Sequence, residues 1–255
     1  MAGKHVLTLI TFDIDDTLYS STEFVRLARD NALKAMIQTG LKIDFKIASA
    51  ELDEVVSEFT SNDEHHFDRL LQRLPPACLD GINPAILVAT GVAAYHDAVH
   101  ESLRPYEDAL EAFKRLHAMG YQLGIVTQGY TIKQAEKVVR LRILPYLHKK
   151  AIFFSDQVAT SKSNPKFYQR AAESLGAKQG QCMHVGDRPD RDIDPANKAG
   201  WFTVLNRRCG RYHQRPGETP PAYVIDNFWD LIELVERDFE PLQRDGHSTG
   251  GTAGS

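Results

Sequence analysis

Asp13, Asp15 and Asp16 crowd the end of an apolar run at residues 6–12, and Thr17 follows them. Three acids at the mouth of a buried strand repel one another and bind water strongly, so stability alone does not place them there. A divalent cation relieves the repulsion: Mg²⁺ takes hard oxygen ligands from one or two carboxylates and leaves positions for a substrate phosphate. The plainer alternative is a strand followed by an Asp-rich turn, Asp being a common turn residue. Polar residues also end three later apolar runs. They are Thr127 after residues 122–126, Lys162 beyond residues 151–154, and Asp187 with Asp192 after residues 182–185. The types are complementary. One carboxylate can be a nucleophile that forms an aspartyl-phosphate. A second, two residues on, can protonate a leaving alkoxide and then deprotonate water. A hydroxyl and an ammonium can hold phosphoryl oxygens as charge shifts in the transition state.

The elements that must position these groups are legible in the texture of the chain. The run before Asp13 is β-branched or apolar apart from two threonines, the composition of a buried strand in a parallel sheet. From residue 22 to about residue 91 apolar positions recur at helical spacing only. Phe24, Leu27, Ala28, Ala32 and Met36 form one stripe, with Thr22 as the expected N-cap, and Pro75-Pro76 stops a third. From Arg104 helices and strands alternate, with glycines at helix ends, and a helix through Phe239 closes the series. Alternation at this spacing predicts an α/β fold, a doubly wound parallel sheet, and such sheets bind ligands outside the carboxyl ends of their strands. The expected division is a Rossmann-like core at 1–19 and 104–243, an inserted helical domain at 20–103, and a disordered tail at 244–255 rich in Gly, Ser and Thr.

Composition narrows the partners. The 255 residues are 42% apolar and 25% charged, as in an ordinary globular protein. A net charge of −4 and a pI near 6.2 leave no electrostatic footprint for nucleic acid or an anionic membrane. Cys78, Cys182 and Cys209 are far apart and form no CxxC pair, which favours neither a disulfide framework nor a structural zinc site. Cys182 reads as a small buried residue. No targeting segment is visible, so the expected location is the default one, cytoplasmic. His65-His66 point in different directions if helical and make a poor metal pair. His184, inside an expected strand, reads as a hydrogen-bonded core residue. Asp190 reads as a solvated neighbour of Asp187. Arg207, Arg208, Arg211 and Arg215 form either a solvated loop or a grip for an anion.

The ordered set of strand ends resembles the haloacid dehalogenase superfamily of phosphohydrolases. Its DxDxT motif matches Asp13 to Thr17, its strand-ending Thr matches Thr127 in IVTQG, its Lys before a Pro-containing helix start matches Lys162 in SKSNPKFY, and its GDxxxxDI matches VGDRPDRDI. The resemblance implies that Asp13 is the nucleophile and a Mg²⁺ ligand, and that Asp15 is the general acid/base, with its backbone carbonyl a second ligand. It further implies that Thr127, Gln128 and Lys162 bind the substrate phosphate, that Asp187 binds the metal, and that Asp192 supports the site from behind it. The helical insertion resembles the family's cap. Two departures stand out: the usual Lys-Pro is Lys162-Ser163, and the common Thr-Asn-Gly is Thr127-Gln128-Gly129. Alignment on Pro165 favours Lys162 as the active lysine, with Lys166 as the alternative.

The expectation is therefore a Mg²⁺-dependent phosphohydrolase acting on a small phosphorylated metabolite. A haloacid dehalogenase would share the fold but has no need of Asp15 to protonate an alkoxide. A phosphomutase would keep both acids. A non-catalytic phosphate-binding module, such as a receiver-like domain, would be about half this length and lack the helical insertion.

Overall fold

The computed structural model describes residues 3–59, 63–209, 212 and 215–242. The expected disordered tail and Arg211 lie outside the described residues. The chain divides into two compact units, one of Met1–Tyr19 with Arg104–Ser255 and one of Ser20–Leu103.

The chain begins with β1 (His5–Leu7) and β2 (Leu9–Phe12). The expected single strand over residues 6–12 is thus two, belonging to separate sheets. All four residues of β2 are buried, as its composition requires of a central strand. The second unit follows, with α1 (Ser21–Thr39), α2 (Phe45–Phe59), α3 (His66–Arg73) and α4 (Pro84–Ser102). Ser20, not Thr22, caps α1: its Oγ accepts the Glu23 backbone N–H at 3.2 Å, while Thr22 lies in the first turn. Replacing such a cap by Ala costs about 1 kcal/mol. The helices bury Ala32, Leu33, Met36, Leu52, Leu70 and Leu87 among themselves. Gly91 of α4 lets α1 approach closely, since a Cβ there would lie 2.8 Å from Met36 Sδ.

The first unit resumes with α5 (Glu107–Ala118), β3 (Gln122–Thr127), α6 (Thr131–Arg140), β4 (Leu147–Phe154) and α7 (Pro165–Ser174). It continues through β5 (Cys182–Gly186), α8 (Asp194–Lys198), β6 (Phe202–Asn206), β7 (Tyr223–Ile225), α9 (Phe228–Asp238) and β8 (Phe239–Pro241). The sheet order is β4-β3-β2-β5-β6-β7 and every pairing is parallel. From β2 the chain steps outward to β3 and β4, then returns to β5 on the other side. That reversal makes the carboxyl ends of β2 and β5 a topological switch point, the place at which sheets of this kind bind ligands. Phe12, Phe113 and Phe228 pack ring against ring beneath it. The last helix stops at Asp238 rather than running through Phe239. Phe239 is extended, buried against His5 and Phe202, and starts the strand that pairs with β1. Pro241 has no backbone N–H and disfavours a helical residue before it, so a helix there would end in any case. No helix among the described residues is long and apolar enough to cross a membrane.

Candidate active site

Asp13 directly follows β2, and its backbone N–H donates to Val185 O at 2.9 Å, so the first acid is tied to the neighbouring strand before its side chain does anything. The chain then turns back sharply. Leu18 N–H reaches Ile14 O at 3.0 Å, and Asp16 takes φ +58°, a left-handed conformation Asp tolerates better than most residues. Lys162 comes from the loop after β4 and is 2% exposed. Its Nζ lies 2.6 Å from Asp13 Oδ1 and 2.5 Å from Asp192 Oδ1. Asp192 sits in a π-helical turn at Pro189–Ile193, a geometry frequent at functional sites. Its Oδ2 accepts the Arg188 N–H at 2.8 Å. Gly186 makes this possible, because a Cβ there would lie 2.3 Å from the Asp192 carboxylate carbon.

Asp13, Asp187 and Asp192 each offer an oxygen within 4.8 Å of the others, and all three are buried. Three acids against one buried ammonium leave uncompensated negative charge. Its mark is on the titration of the group: burial, with Asp192 and Asp13 beside it, lifts Asp187 to about 9. Burial also lifts Asp13, against the pull of Lys162, to about 6. Burial works against ionisation of Asp192 as well, but Lys162 and His184 hold it below the usual carboxylate range. The same two acids outweigh burial at Lys162 and hold its ammonium charged. Hard oxygens with surplus charge are a donor set that can bind a metal ion.

His184 is a core histidine, as its place in a strand predicts. Burial pulls it down to about 4, so it is neutral. Nε2 lies 3.4 Å from Asp192 Oδ1 and Nδ1 2.9 Å from Thr11 Oγ1, and a proton on Nε2 satisfies both contacts. Cys182 is buried in the core beside Tyr168 and Trp201, its thiol pushed up to about 12 by burial.

Asp15 has a different set of partners. Tyr19 Oη donates to its Oδ1 at 2.5 Å, Gln134 Nε2 to Oδ2 at 3.2 Å, and Lys137 Nζ to both oxygens at 2.7 and 2.6 Å. Burial is outweighed there by the charge and hydrogen bonds of Lys137 together with those of Tyr19 and Gln134, so Asp15 is held below its ordinary value. The sequence reading missed all three donors. The only signal was Gln134 and Lys137 three apart on the polar flank of an expected helix.

Thr127 is buried at the end of β3. Gln128, expected at the phosphate, uses its Oε1 to accept the Lys162 backbone N–H at 2.9 Å, so it anchors the lysine's loop. Lys166 is exposed on the first turn of α7, where its backbone N–H donates to Asn164, and Lys162 alone of the two reaches the acids. Asp190 is clasped by Arg188 at 3.1 and 2.8 Å. In the arginine run, Arg207 pairs with Asp226, while Arg208 reaches both oxygens of buried Asp108 at 2.6 and 2.7 Å and stacks on Tyr106. Arg215 lies over the Tyr212 ring. These two ion pairs tie the loop to its own unit.

A parallel sheet with its acids at the switch point, and lysine, threonine and aspartate on the neighbouring strand ends, defines a hydrolase class. The chain belongs to the haloacid dehalogenase-like hydrolases, whose family profile matches residues 7–200, and it is an enzyme of that family. Among curated relatives it is 41% identical over 236 residues to the "glyceraldehyde 3-phosphate phosphatase" of Methanopyrus kandleri, covering 90% of this chain and 97% of that one. It is 37% identical over 227 residues to the protein of the same name from Methanocaldococcus jannaschii, covering 89% and 96%. The fold matches the crystal structure of a HAD phosphatase from Thermococcus onnurineus with a TM-score of 0.61 at 23% identity, over 90% of this chain and 98% of that one.

Proposed function

We propose that this enzyme is a Mg²⁺-dependent phosphatase that hydrolyses a small phosphate monoester through an aspartyl-phosphate on Asp13. The observation that carries the reading is the Lys162 ammonium 2.6 Å from Asp13, beside Asp187 and Asp192, at the carboxyl ends of β2 and β5. The relatives' names support a substrate of the size of glyceraldehyde 3-phosphate.

Asp13, largely ionised at neutral pH, attacks phosphorus through one carboxylate oxygen as the ester P–O bond breaks. Asp15, whose donors favour its ionised form, takes up a proton from solvent as substrate binds and gives it to the departing alkoxide. Water then attacks the phosphorus of the acyl phosphate and passes a proton to Asp15, releasing phosphate and restoring the Asp13 carboxylate. Thr127 and Lys162 hold the phosphoryl oxygens. Asp13, Asp187 and the backbone carbonyl of Asp15 would hold Mg²⁺, which when bound offsets phosphoryl charge as a Lewis acid. Asp192 keeps Lys162 in place. The helical unit Ser20–Leu103 is the cap that selects among substrates.

The test is a panel of phosphate monoesters, glyceraldehyde 3-phosphate among them, assayed with Mg²⁺ and with chelator. Phosphate release that needs Mg²⁺ is the expected result. Undiminished turnover in chelator would refute the metal assignment, and no turnover of any monoester would refute the phosphatase reading.

A further inference from the structure

Asp15 is gripped more completely than a solvent-facing acid needs to be. Tyr19 donates to one oxygen only, and Gln134 to the other only. Lys137 alone reaches both, at 2.7 and 2.6 Å, with its side chain 24% and that of Asp15 32% exposed. Tyr19 on one oxygen and Gln134 on the other set the plane of the carboxylate, and Lys137, reaching both, supplies the one charge among the three that holds the group against them. The support behind Lys137 is firm. Gln134, one helical turn earlier on the same face of α6, is buried and also donates to Gln128 O at 3.0 Å, immediately after Thr127. The helix carrying the cation is therefore fastened to the strand end carrying the phosphate-binding hydroxyl.

We propose that Lys137, seconded by Gln134, is the positioning residue that holds the Asp15 carboxyl group in the orientation from which it serves the leaving-group oxygen. This rests on the reading of Asp15 as general acid/base. A misplacement of about 1 Å can cost on the order of 10²-fold in rate. The cost falls only where the proton matters, so it depends on the leaving group.

The experiment compares kcat/KM, which covers events up to phosphoryl transfer, for two esters. Glyceraldehyde 3-phosphate has an alkoxide leaving group that needs a proton, and p-nitrophenyl phosphate has one that does not. In Lys137→Met, which keeps the apolar stem, kcat/KM should fall roughly 10- to 100-fold for the first ester and less than about threefold for the second. Lys137→Arg should restore most of the loss, and Asp15→Asn should show the same preference more strongly. Adding Lys137→Met to Asp15→Asn should cost little more, because the positioned group is already gone. Equal losses on both esters, or none on either, would overturn the proposal. If Asp15→Asn discriminates between the esters and Lys137→Met does not, the positioning role alone falls. If Asp15→Asn does not discriminate, the acid role of Asp15 falls and this proposal with it. Lys137→Gln, read the same way, replaces Lys137→Met should that variant fail to fold.

Discussion

Asp13 and Asp15 are two residues apart on one turn, and the protein surrounds them in opposite ways. Asp13 shares its ground with Asp187 and Asp192, an excess of buried acid with Lys162 between two of its members. Asp15 is enclosed by donors, Tyr19, Gln134 and Lys137. One region is short of positive charge and the other is supplied with it from its own chain. Residue type alone therefore does not set a carboxylate's task; the elements that converge on it do. An acid surplus favours the binding of a cation, whereas donors on both oxygens favour the ionised form of a carboxylate.

The comparison breaks most visibly if the two acids prove interchangeable. Asp13→Asn removes the nucleophile and should lower kcat by at least about 10⁴-fold, with no phosphate adduct in the intact mass of the chain. Asp15→Asn should lose on the order of 10²–10⁴-fold with an alkyl ester. Given an activated aryl phosphate, it should still transfer phosphate to Asp13 and then stall, because Asn cannot deprotonate water. Mass spectrometry should then find one added phosphate. An adduct in Asp13→Asn, or parent-like turnover in Asp15→Asn, would reverse the assignment of roles.

A finer probe alters the acid cluster without touching an acid. Gly186→Ala would put a methyl group 2.3 Å from the Asp192 carboxylate, forcing Asp192 and its partner Lys162 to shift. Overpacking of this kind costs about 1–3 kcal/mol. The variant should melt several degrees lower and lose more activity than its folded fraction explains. A melting curve and turnover matching the parent would mean that Asp192 need not sit where it does.

The smallest effect is a dependence of stability on pH. Asp187 rises from 3.8 to about 9 in the folded chain, so between those values the folded state binds more protons than the unfolded one. Stability in chelator should therefore fall as pH rises through that window, and the loss is complete above it. A divalent cation takes the ionised form, so Mg²⁺ should raise the melting temperature more near pH 9 than near pH 6. Thermal melts with Mg²⁺ and with chelator across this range measure it. A Mg²⁺ effect independent of pH would count against Asp187 as a ligand.

Much of this site was legible because its signals are local. Apolar runs ending in Asp13, Thr127 and Asp187 mark strands and their carboxyl ends together, and a parallel sheet gathers those ends without further instruction. The change from helix-only to alternating texture near Arg104 likewise follows from periodicity within single elements. The errors fell where neighbours compete over a residue or two. Ser20 and Thr22 are both good caps, and the difference is which hydroxyl meets a free N–H. Phe239 satisfies the stripe of α9, but its burial beside His5 and Phe202 and the pairing with β1 draw it into a strand.

What the sequence determined by itself was the inventory: which acids, hydroxyl and ammonium stand at strand ends, and in what order. Only the tertiary structure decided who faces whom. Lys137 meets Asp15 across 122 positions of chain, and Arg208 meets Asp108 across 100. Gln128 turns to the backbone of Lys162, and Asp192 comes so close to β5 that only glycine fits opposite it. Such contacts leave no periodic trace, because spacing along a helix or strand reports the face a residue occupies. The partner it meets there is fixed by the order in which the strands are laid side by side.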